Sequence, residues 1–310
     1  MRAIVTTGFG SPAELMDVEL PTPGPGEIRI RVRHSSLNGF DVAMAHGYFA
    51  QIMEHRFPAT LGRDFAGTVD EVGEGVTAFA TGDHVFGVVL TQPLHAGGFA
   101  EYLVVPKDHN IAVLPDGLDH ATAGALGLAG AAAVACLEAV RPAAGELVLV
   151  SGATGGVGAV LSQLAATTGA TVIATARPGA EEEFVRAHGA AHVVDYGGEL
   201  AAQVREIAPD GVAIAVHLAG DPVALANLLR PGGRFTTLLS ADPQQSADRA
   251  IAVHPTYATP APTVLEGLAA DVLAGRLRIP VQRTYALADV PQAFADFAAG
   301  TRGKLAVLLD

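Results

Sequence analysis

Glu146-Leu-Val-Leu-Val-Ser-Gly-Ala-Thr-Gly-Gly-Val-Gly158, running on into Ala159-Val-Leu-Ser-Gln-Leu-Ala165, decides how this chain folds. Leu147 to Val150 is a short apolar run of the kind that forms a strand buried on both faces. Gly152, Gly155 and Gly158 follow at intervals of three, with Gly156 among them, where the chain has to leave the strand and enter a helix. The first glycine permits a tight turn. The middle pair lets backbone N–H groups approach a pyrophosphate, and the last lets the helix pack on the strand. The unpaired N–H groups and partial positive charge of the helix start suit an anionic diphosphate. Glycine-rich turns also arise for purely structural reasons; strand, glycines and amphipathic helix in this order are what point to dinucleotide binding.

Outward from this stretch, strands alternate with helices. Ala121 to Val140, rich in alanine, reads as a helix ending at Arg141-Pro142. Strands are predicted at Thr171 to Thr175, His192 to Asp195, Val212 to Val216 and, after Pro231-Gly-Gly233, Arg234 to Leu239. Helices are predicted at Glu181 to His188, Pro222 to Leu229 and Thr263 to Ala274. That alternation makes an α/β, doubly wound parallel sheet. Residues 1–118 follow a different grammar. Ile28-Arg-Ile-Arg-Val-Arg33 alternates apolar and basic side chains, and Gly67 to Val72, His84 to Leu90 and Phe99 to Val105 are further short strands between Gly-rich turns. They predict a small antiparallel barrel. The segment from Ile279 returns to strand-like and short helical pieces and is assigned back to the first domain. The resulting division is 1–118 with 277–310, and 119–276.

Bulk properties narrow the function. A chain of 310 residues has room for two cores. Half of it is hydrophobic and 16% is charged, as in ordinary globular proteins, and the net charge of −13 argues against nucleic acid or an anionic membrane surface as partner. Cys136 is the single cysteine, which leaves neither a disulfide framework nor a thiolate zinc cage. The stretch Met1 to Gly8 lacks the apolar segment of a secretion signal, and no uninterrupted apolar run is read as membrane-length, so the expectation is a cytoplasmic protein.

The order of several motifs carries a resemblance. Pro58-Ala-Thr-Leu-Gly-Arg-Asp-Phe-Ala-Gly-Thr-Val69, Val72-Gly-Glu-Gly-Val76, Phe79 to Gly87, Gly98-Phe-Ala-Glu-Tyr102, Ser151 to Gly158, Arg230-Pro-Gly-Gly-Arg234 and Arg302-Gly-Lys304 resemble the medium-chain dehydrogenase/reductase superfamily. Within it the chain is similar to the zinc-free quinone oxidoreductase (zeta-crystallin-like) branch. The resemblance implies a GroES-like β-barrel catalytic domain and a Rossmann domain, with cofactor and substrate in the cleft between them. It also implies a homodimer joined through the edge strand of the Rossmann sheet, here Arg249-Ala-Ile-Ala-Val253. The zinc alcohol dehydrogenases place a Cys where this chain has Asn38, and a His-Glu pair where it has Arg63-Asp64. Arg does not ligate a metal and Asn is a poor zinc ligand. The four-cysteine structural lobe, expected between Leu90 and Gly98, is missing. The resemblance therefore implies catalysis without a metal.

An NAD-binding unit carries Asp or Glu about 20 residues past the glycines, to accept from the ribose 2′-hydroxyl. Here the sequence is Ala174-Thr-Ala-Arg177-Pro-Gly179. Arg177 offers a planar cationic fork to a 2′-phosphate, and its alternative is a solvated surface arginine. Tyr196 matches a family tyrosine used for the same phosphate. Glu181-Glu-Glu183 works against it, since an inward carboxylate would repel that group. NADPH is the coenzyme expected. Ser151, Thr154, Gly155, Gly156, Val157 and Leu239 complete the expected cofactor contacts.

Near the nicotinamide, the resemblance assigns Asn38 to the ribose or the substrate carbonyl region; the alternative is a turn-forming Asn. Asp41 matches a family aspartate and could equally cap a helix starting nearby. Tyr48 is a candidate proton donor or a wall of the pocket, and His46 and His95 are weaker candidates. Lys304 could reach the diphosphate, line the cleft or face solvent. A threonine common in relatives is Ala132 here. Quinones and activated alkenes accept hydride without metal help because the product charge is delocalised, whereas an unactivated ketone leaves a localised alkoxide. The expected substrate is thus a small, apolar electrophile: a quinone or an α,β-unsaturated carbonyl. The alternatives are an enoyl-thioester reductase and, in another class, a non-catalytic NADPH-binding redox sensor.

Overall fold

A computed structural model of the chain describes residues 1–239 and 250–309. The backbone divides into two compact units, Met1–Leu128 with Pro260–Leu273 and Val281–Asp310, and Ala129–Thr259 with Ala274–Pro280.

The first unit opens with β1 (Arg2–Thr6), β2 (Glu14–Asp17) and β3 (Glu27–Leu37), then α1 (Gly39–His46), β4 (Ala59–Thr60), β5 (Asp64–Val72), β6 (His84–Val88), β7 (Tyr102–Pro106) and β8 (Ile111–Val113). β3 is the hub, flanked by β5, β7 and, from the C-terminal segment, β16 (Lys304–Leu308), all antiparallel to it. The alternation read at residues 28–33 has its cause here: Ile28, Ile30 and Val32 are buried, and the arginines between them are not. Burying an aliphatic side chain of this kind contributes roughly 1.5–3 kcal/mol, and these three join Phe65, Phe99 and Leu305 in one core.

One glycine lets β3 and β5 pair this closely. A Cβ on Gly67 would lie 2.1 Å from the Arg31 carbonyl oxygen, so only hydrogen fits.

α2 (His120–Val140) straddles the two units, its residues through Leu128 belonging to the first. It is 21 residues long and apolar enough, by length and composition, to cross a bilayer, which corrects the reading that no run reaches that length. Its apolarity has another use: 78% of that apolar window is buried inside the protein.

The second unit is built on β9 (Leu147–Ser151), α3 (Gly156–Thr167), β10 (Thr171–Thr175), α4 (Ala180–Ala187), β11 (His192–Val194), α5 (Leu200–Ile207), β12 (Val212–His217), α6 (Pro222–Ala226), β13 (Leu229–Thr237) and β14 (Ala252–Pro255). Among the described residues these strands form one six-stranded sheet in the order β11-β10-β9-β12-β13-β14, every pair parallel. The order reverses at β9, and in open parallel sheets that switch point is where ligands bind. β14 is the edge strand of this sheet; it shares only Ala252 and Val253 with the expected edge strand Arg249 to Val253, and Arg249 lies outside the described residues. The Pro231-Gly-Gly233 turn is absorbed into β13. Val212 pairs with Leu229 and Ile214 already with Arg234, so the extra residues bulge out of the ladder.

α7 (Pro262–Leu273) belongs by its contacts to the first unit, where the sequence reading placed it in the second. β15 (Val281–Ala286), α8 (Val290–Ala298) and β16 then complete the barrel, β15 parallel to β16 and β16 against β3.

Two glycine substitutions separate these constraints. Gly67→Ala should lower stability by about 1–3 kcal/mol, because the new methyl overlaps the β3 backbone. Gly267 lies in the interior of α7, exposed and with nothing within 4 Å of an added Cβ. Gly267→Ala should therefore raise stability by about 0.5–1 kcal/mol. Urea unfolding midpoints check both, and equal shifts in one direction would contradict the assignment.

Candidate functional site

In the second unit the glycine turn has the geometry a dinucleotide cradle needs. Gly152 has φ 75°, a left-handed conformation that suits glycine, and its amide donates to Thr175 Oγ1 at 3.1 Å. A Cβ on Gly158 would lie 2.4 Å from the Gly152 carbonyl oxygen, so the last glycine is what lets α3 sit against the turn. The cap of α3 is Gly155, which has no side chain to satisfy the first amides of the helix. Thr154, Gly155, Gly156 and Val157 are half-buried along this turn. The Ser151 hydroxyl donates to the Ala219 carbonyl. These residues fit a dinucleotide.

The residues assigned to the adenosine end come together, with one more that changes their chemistry. Glu181 accepts from the Arg177 backbone N–H at 2.9 Å, from Nε at 2.9 Å and from Nη2 at 2.5 Å. The Tyr196 hydroxyl donates to the same carboxylate at 3.1 Å. The carboxylate read as a repelling neighbour is therefore the partner of both donors. Hydrogen bonds from Arg177 and Tyr196 hold the Glu181 carboxyl below the ordinary range, against the opposing effect of burial. Leu239 is half exposed just beyond β13, its amide turned back to Thr237 Oγ1 at 3.0 Å. Ala132 is buried on α2 and offers no hydrogen bond from its side chain.

The first unit buries a polar cluster. Asn38, Asp41, Arg63, Asp64 and Lys304 are all within it, none more than 7% exposed. β3 delivers Ser36 and leads into Asn38 at the cap of α1, β5 starts at Asp64, and the register of β16, with Leu305 opposite Leu37, brings Lys304 to the end of β3. Asp64 Oδ2 accepts from Ser36 Oγ at 2.5 Å and Asn38 Nδ2 at 2.8 Å, and Oδ1 accepts from the Leu128 amide at 2.7 Å. The Lys304 ammonium donates to Asn38 Oδ1 at 2.5 Å and to the Leu37 carbonyl at 3.1 Å, and lies 3.4 Å from Asp64 Oδ2. Burial pulls its pKa down, and Asp64 and Asp41 pull it back up. Arg63 donates to the carbonyls of Thr60, Ala96 and Val89, with Nε 3.7 Å from Asp41 Oδ1. Asp41 also accepts from the Asn38 amide at 2.8 Å, which makes it a helix-capping carboxylate for α1. Burial pushes its pKa up to about 6, opposed by Arg63. Two carboxylates face two cations, so the cluster can stay neutral as a whole.

Several expectations need correction. Lys304 is not a solvent-facing lysine: at 3% exposed, its ammonium bonds Leu37, Asn38 and Asp64. Tyr48 is 76% exposed, its ring stacked on His46 at 6.1 Å, and it stays outside the buried cluster. His46 and His95 each spend Nδ1 on a backbone carbonyl, at 2.8 Å. Sequence reasoning missed Ser36, for which no motif offers a signal. It also missed His217, which is buried at the end of β12 and bonded to Thr237 Oγ1 and the Gly220 carbonyl.

Residues 24–116 match the Alcohol dehydrogenase GroES-like domain, and residues 188–307 match a family described as Zinc-binding dehydrogenase. A quinone oxidoreductase of Lama guanicoe is 30% identical, over 100% of this chain and 98% of that protein. The chain belongs to the quinone oxidoreductase branch of the medium-chain dehydrogenase/reductase superfamily. Like that branch, it is an oxidoreductase built from a GroES-like and a Rossmann-type domain. A mycocerosic acid synthase-like polyketide synthase of Mycolicibacterium smegmatis is 35% identical over 77% of this chain, a match covering 11% of that synthase. Among solved structures, a mycobacterial protein complexed with NADPH superposes with a TM-score of 0.87 at 27% identity, covering 99% of each chain.

The zinc named in one of these families can be tested against the residues at the expected ligand positions. Where a zinc member would place its Cys and His-Glu ligands stand an amide, a guanidinium and an aspartate whose oxygens are already taken. A lysine ammonium is packed against them. Among the described residues no group of three or more His, Cys, Asp and Glu could hold a metal ion. The residues do not fit zinc.

The coupling within the cluster is measurable. Lys304→Met should cost about 3–5 kcal/mol by leaving Asp64 and Asn38 buried without their cation. Asp64→Asn should be similarly destabilising, and the double variant should be less destabilised than the sum by about 0.5–3 kcal/mol. A double-mutant cycle in urea reads this, and strict additivity would contradict the pairing.

Proposed function

We propose that the protein is an NADPH-dependent reductase of quinones or α,β-unsaturated carbonyls that works without a metal. The observation that carries this reading is the donor set at the buried cluster: the positions of metal ligands hold Asn38, Arg63 and Asp64, with Lys304 supplying the positive charge. A cation locked inside a hydrogen-bonded cluster offers no open coordination site for polarising a carbonyl. The acceptors that suit such a protein are those whose reduced form spreads its own charge, namely quinones and enones.

NADPH, when bound, supplies a hydride from C4 of its nicotinamide. The chain's own residues bind and orient it. The amides of Gly155, Gly156 and Val157 at the start of α3 would hold its diphosphate, and Arg177 and Tyr196 would offer donors to its 2′-phosphate. Asn38 is pinned by three hydrogen bonds, from its amide nitrogen to Ser36 and Asp64 and to its oxygen from Lys304, so its orientation is fixed before any ligand arrives. The NADPH complex of the mycobacterial structural relative adds support for the phosphorylated coenzyme.

A second reading, an enoyl-thioester reductase, is favoured by the match to a segment of a polyketide synthase. One assay separates the readings. Purified protein is mixed with NADPH and either 1,4-benzoquinone or crotonyl-CoA, and absorbance at the nicotinamide band is followed. Turnover of the quinone with crotonyl-CoA inert is the expected result. Turnover of crotonyl-CoA alone moves the assignment to thioesters. Tight NADPH binding with no turnover of either points to a non-catalytic sensor.

A further inference from the structure

Glu181 holds the position in which an anion from outside would be bound. Three segments converge on it: Arg177 from the end of β10, Tyr196 from the end of β11, and Glu181 itself from the first turn of α4. Its carboxylate accepts from a backbone N–H, two guanidinium nitrogens and a phenol. The Arg177 guanidinium also lies over the Tyr196 ring, 5.8 Å from its centroid. A backbone amide, a fork of guanidinium donors and a hydroxyl are the donors that recognise a phosphate monoester. Glu181 is the less exposed partner, at 15% against 64% for the Arg177 side chain. The guanidinium is thus partly open to solvent while the carboxylate is tucked beneath it.

The next residue supplies a contrast. Glu182 pairs with Arg186 one turn along the same helix, at 2.9 Å, in an ordinary exposed i,i+4 bridge. It takes no phenol and no donor from another strand.

We propose that Glu181 is an internal stand-in for the 2′-phosphate of NADPH and sets the coenzyme preference by competing for Arg177 and Tyr196. The proposal rests on the NADPH reading above. A phosphate with a charge between −1.5 and −2 cannot share these donors with a carboxylate at hydrogen-bond distance. Glu181 has to swing away before the phosphate docks, and the work of displacing it is subtracted from the affinity for the phosphorylated coenzyme. A coenzyme with a free 2′-hydroxyl does not incur this cost. Glu181 thereby narrows the margin by which NADPH is preferred over NADH.

The test uses the intact protein and calorimetric titration with two fragments, adenosine 2′,5′-bisphosphate and 5′-AMP, alongside NADP⁺ and NAD⁺. Glu181→Gln should bind the bisphosphate and NADP⁺ about tenfold more tightly than the wild type, the size expected from removing one nearby like charge at a solvent-screened site. Its affinity for 5′-AMP and NAD⁺ should stay within about twofold. Glu182→Gln, the control on the same helix, should leave all four unchanged. Circular dichroism confirms that each variant is folded, and Glu181→Ala serves as the second variant should the glutamine side chain hold Arg177 in place.

Bisphosphate affinity that is unchanged or weaker in both Glu181 variants, in a protein that prefers the bisphosphate over 5′-AMP, overturns the proposal and leaves the NADPH reading standing. A loss of 5′-AMP and NAD⁺ affinity overturns it too, because Glu181 would then be an acceptor for the ribose hydroxyls. No preference for the bisphosphate in the wild type or either variant overturns the proposal together with the NADPH reading.

Discussion

Asp64 has its carboxylate entirely out of water, and much of the first unit is arranged to make that tolerable. A buried carboxylate is costly unless it is paired and hydrogen-bonded. Here Ser36 and Asn38 donate from the end of β3, the Leu128 amide donates from α2, and Lys304 brings an ammonium from β16. Four donors from three separate stretches of chain are thus tied to one side chain. β16 could not pair elsewhere without stranding Lys304 in an apolar core or leaving Asp64 without a cation. The second pair, Arg63 with Asp41, repeats the device at the start of α1, where the same carboxylate also accepts from the Asn38 amide. Satisfying charge and setting the orientation of Asn38 are therefore one requirement.

The second unit solves a different problem. Its sheet is held by apolar strands, with Leu149, Ile173, Val212 and Phe235 buried between the helices. The polar work is confined to the carboxyl ends of β9, β10 and β11. At β9 glycine removes side chains so that backbone amides are left to bind. At β10 and β11, Arg177 and Tyr196 provide side-chain donors, and Glu181 occupies them. In the proposed reading, one end of the coenzyme would meet bare backbone and the other donors already in use, so that recognition of the diphosphate and the choice of ribose would fall to separate groups.

What could be read in the sequence follows the reach of local signals. β9, β10, β12, α2 and α4 declare themselves through uninterrupted apolar runs or helical periodicity, and the glycine turn through its spacing. β1, β2 and β4 carry no comparable pattern. β2 is exposed throughout, and β4 has two residues, so these strands exist because of their partners rather than their own composition. The helix over 200–207 was missed for a similar reason, since only Val204 of α5 is buried. The site divides in the same way. Asn38, Arg63, Asp64 and Tyr196 were visible through the family pattern, and Arg177 through its distance from the glycines. The burial of Lys304 was not, because its contact with Asn38 spans 266 positions and depends on the register of β16. Tyr48 follows the C-cap turn at Gly47 and is exposed, a placement set by that turn rather than by any periodicity in the sequence.

The proposal at the centre of this account is that Asn38, Arg63 and Asp64 occupy the positions of a zinc enzyme's ligands, with Lys304 packed against them, and that reduction proceeds without a metal. Elemental analysis of protein purified with zinc in the medium, paired with the rate of NADPH oxidation before and after treatment with a strong chelator, tests it most directly. The account predicts far less than one zinc per chain and a rate that the chelator leaves unchanged. One tightly held zinc per chain, removed together with the activity and restored with it, would contradict it.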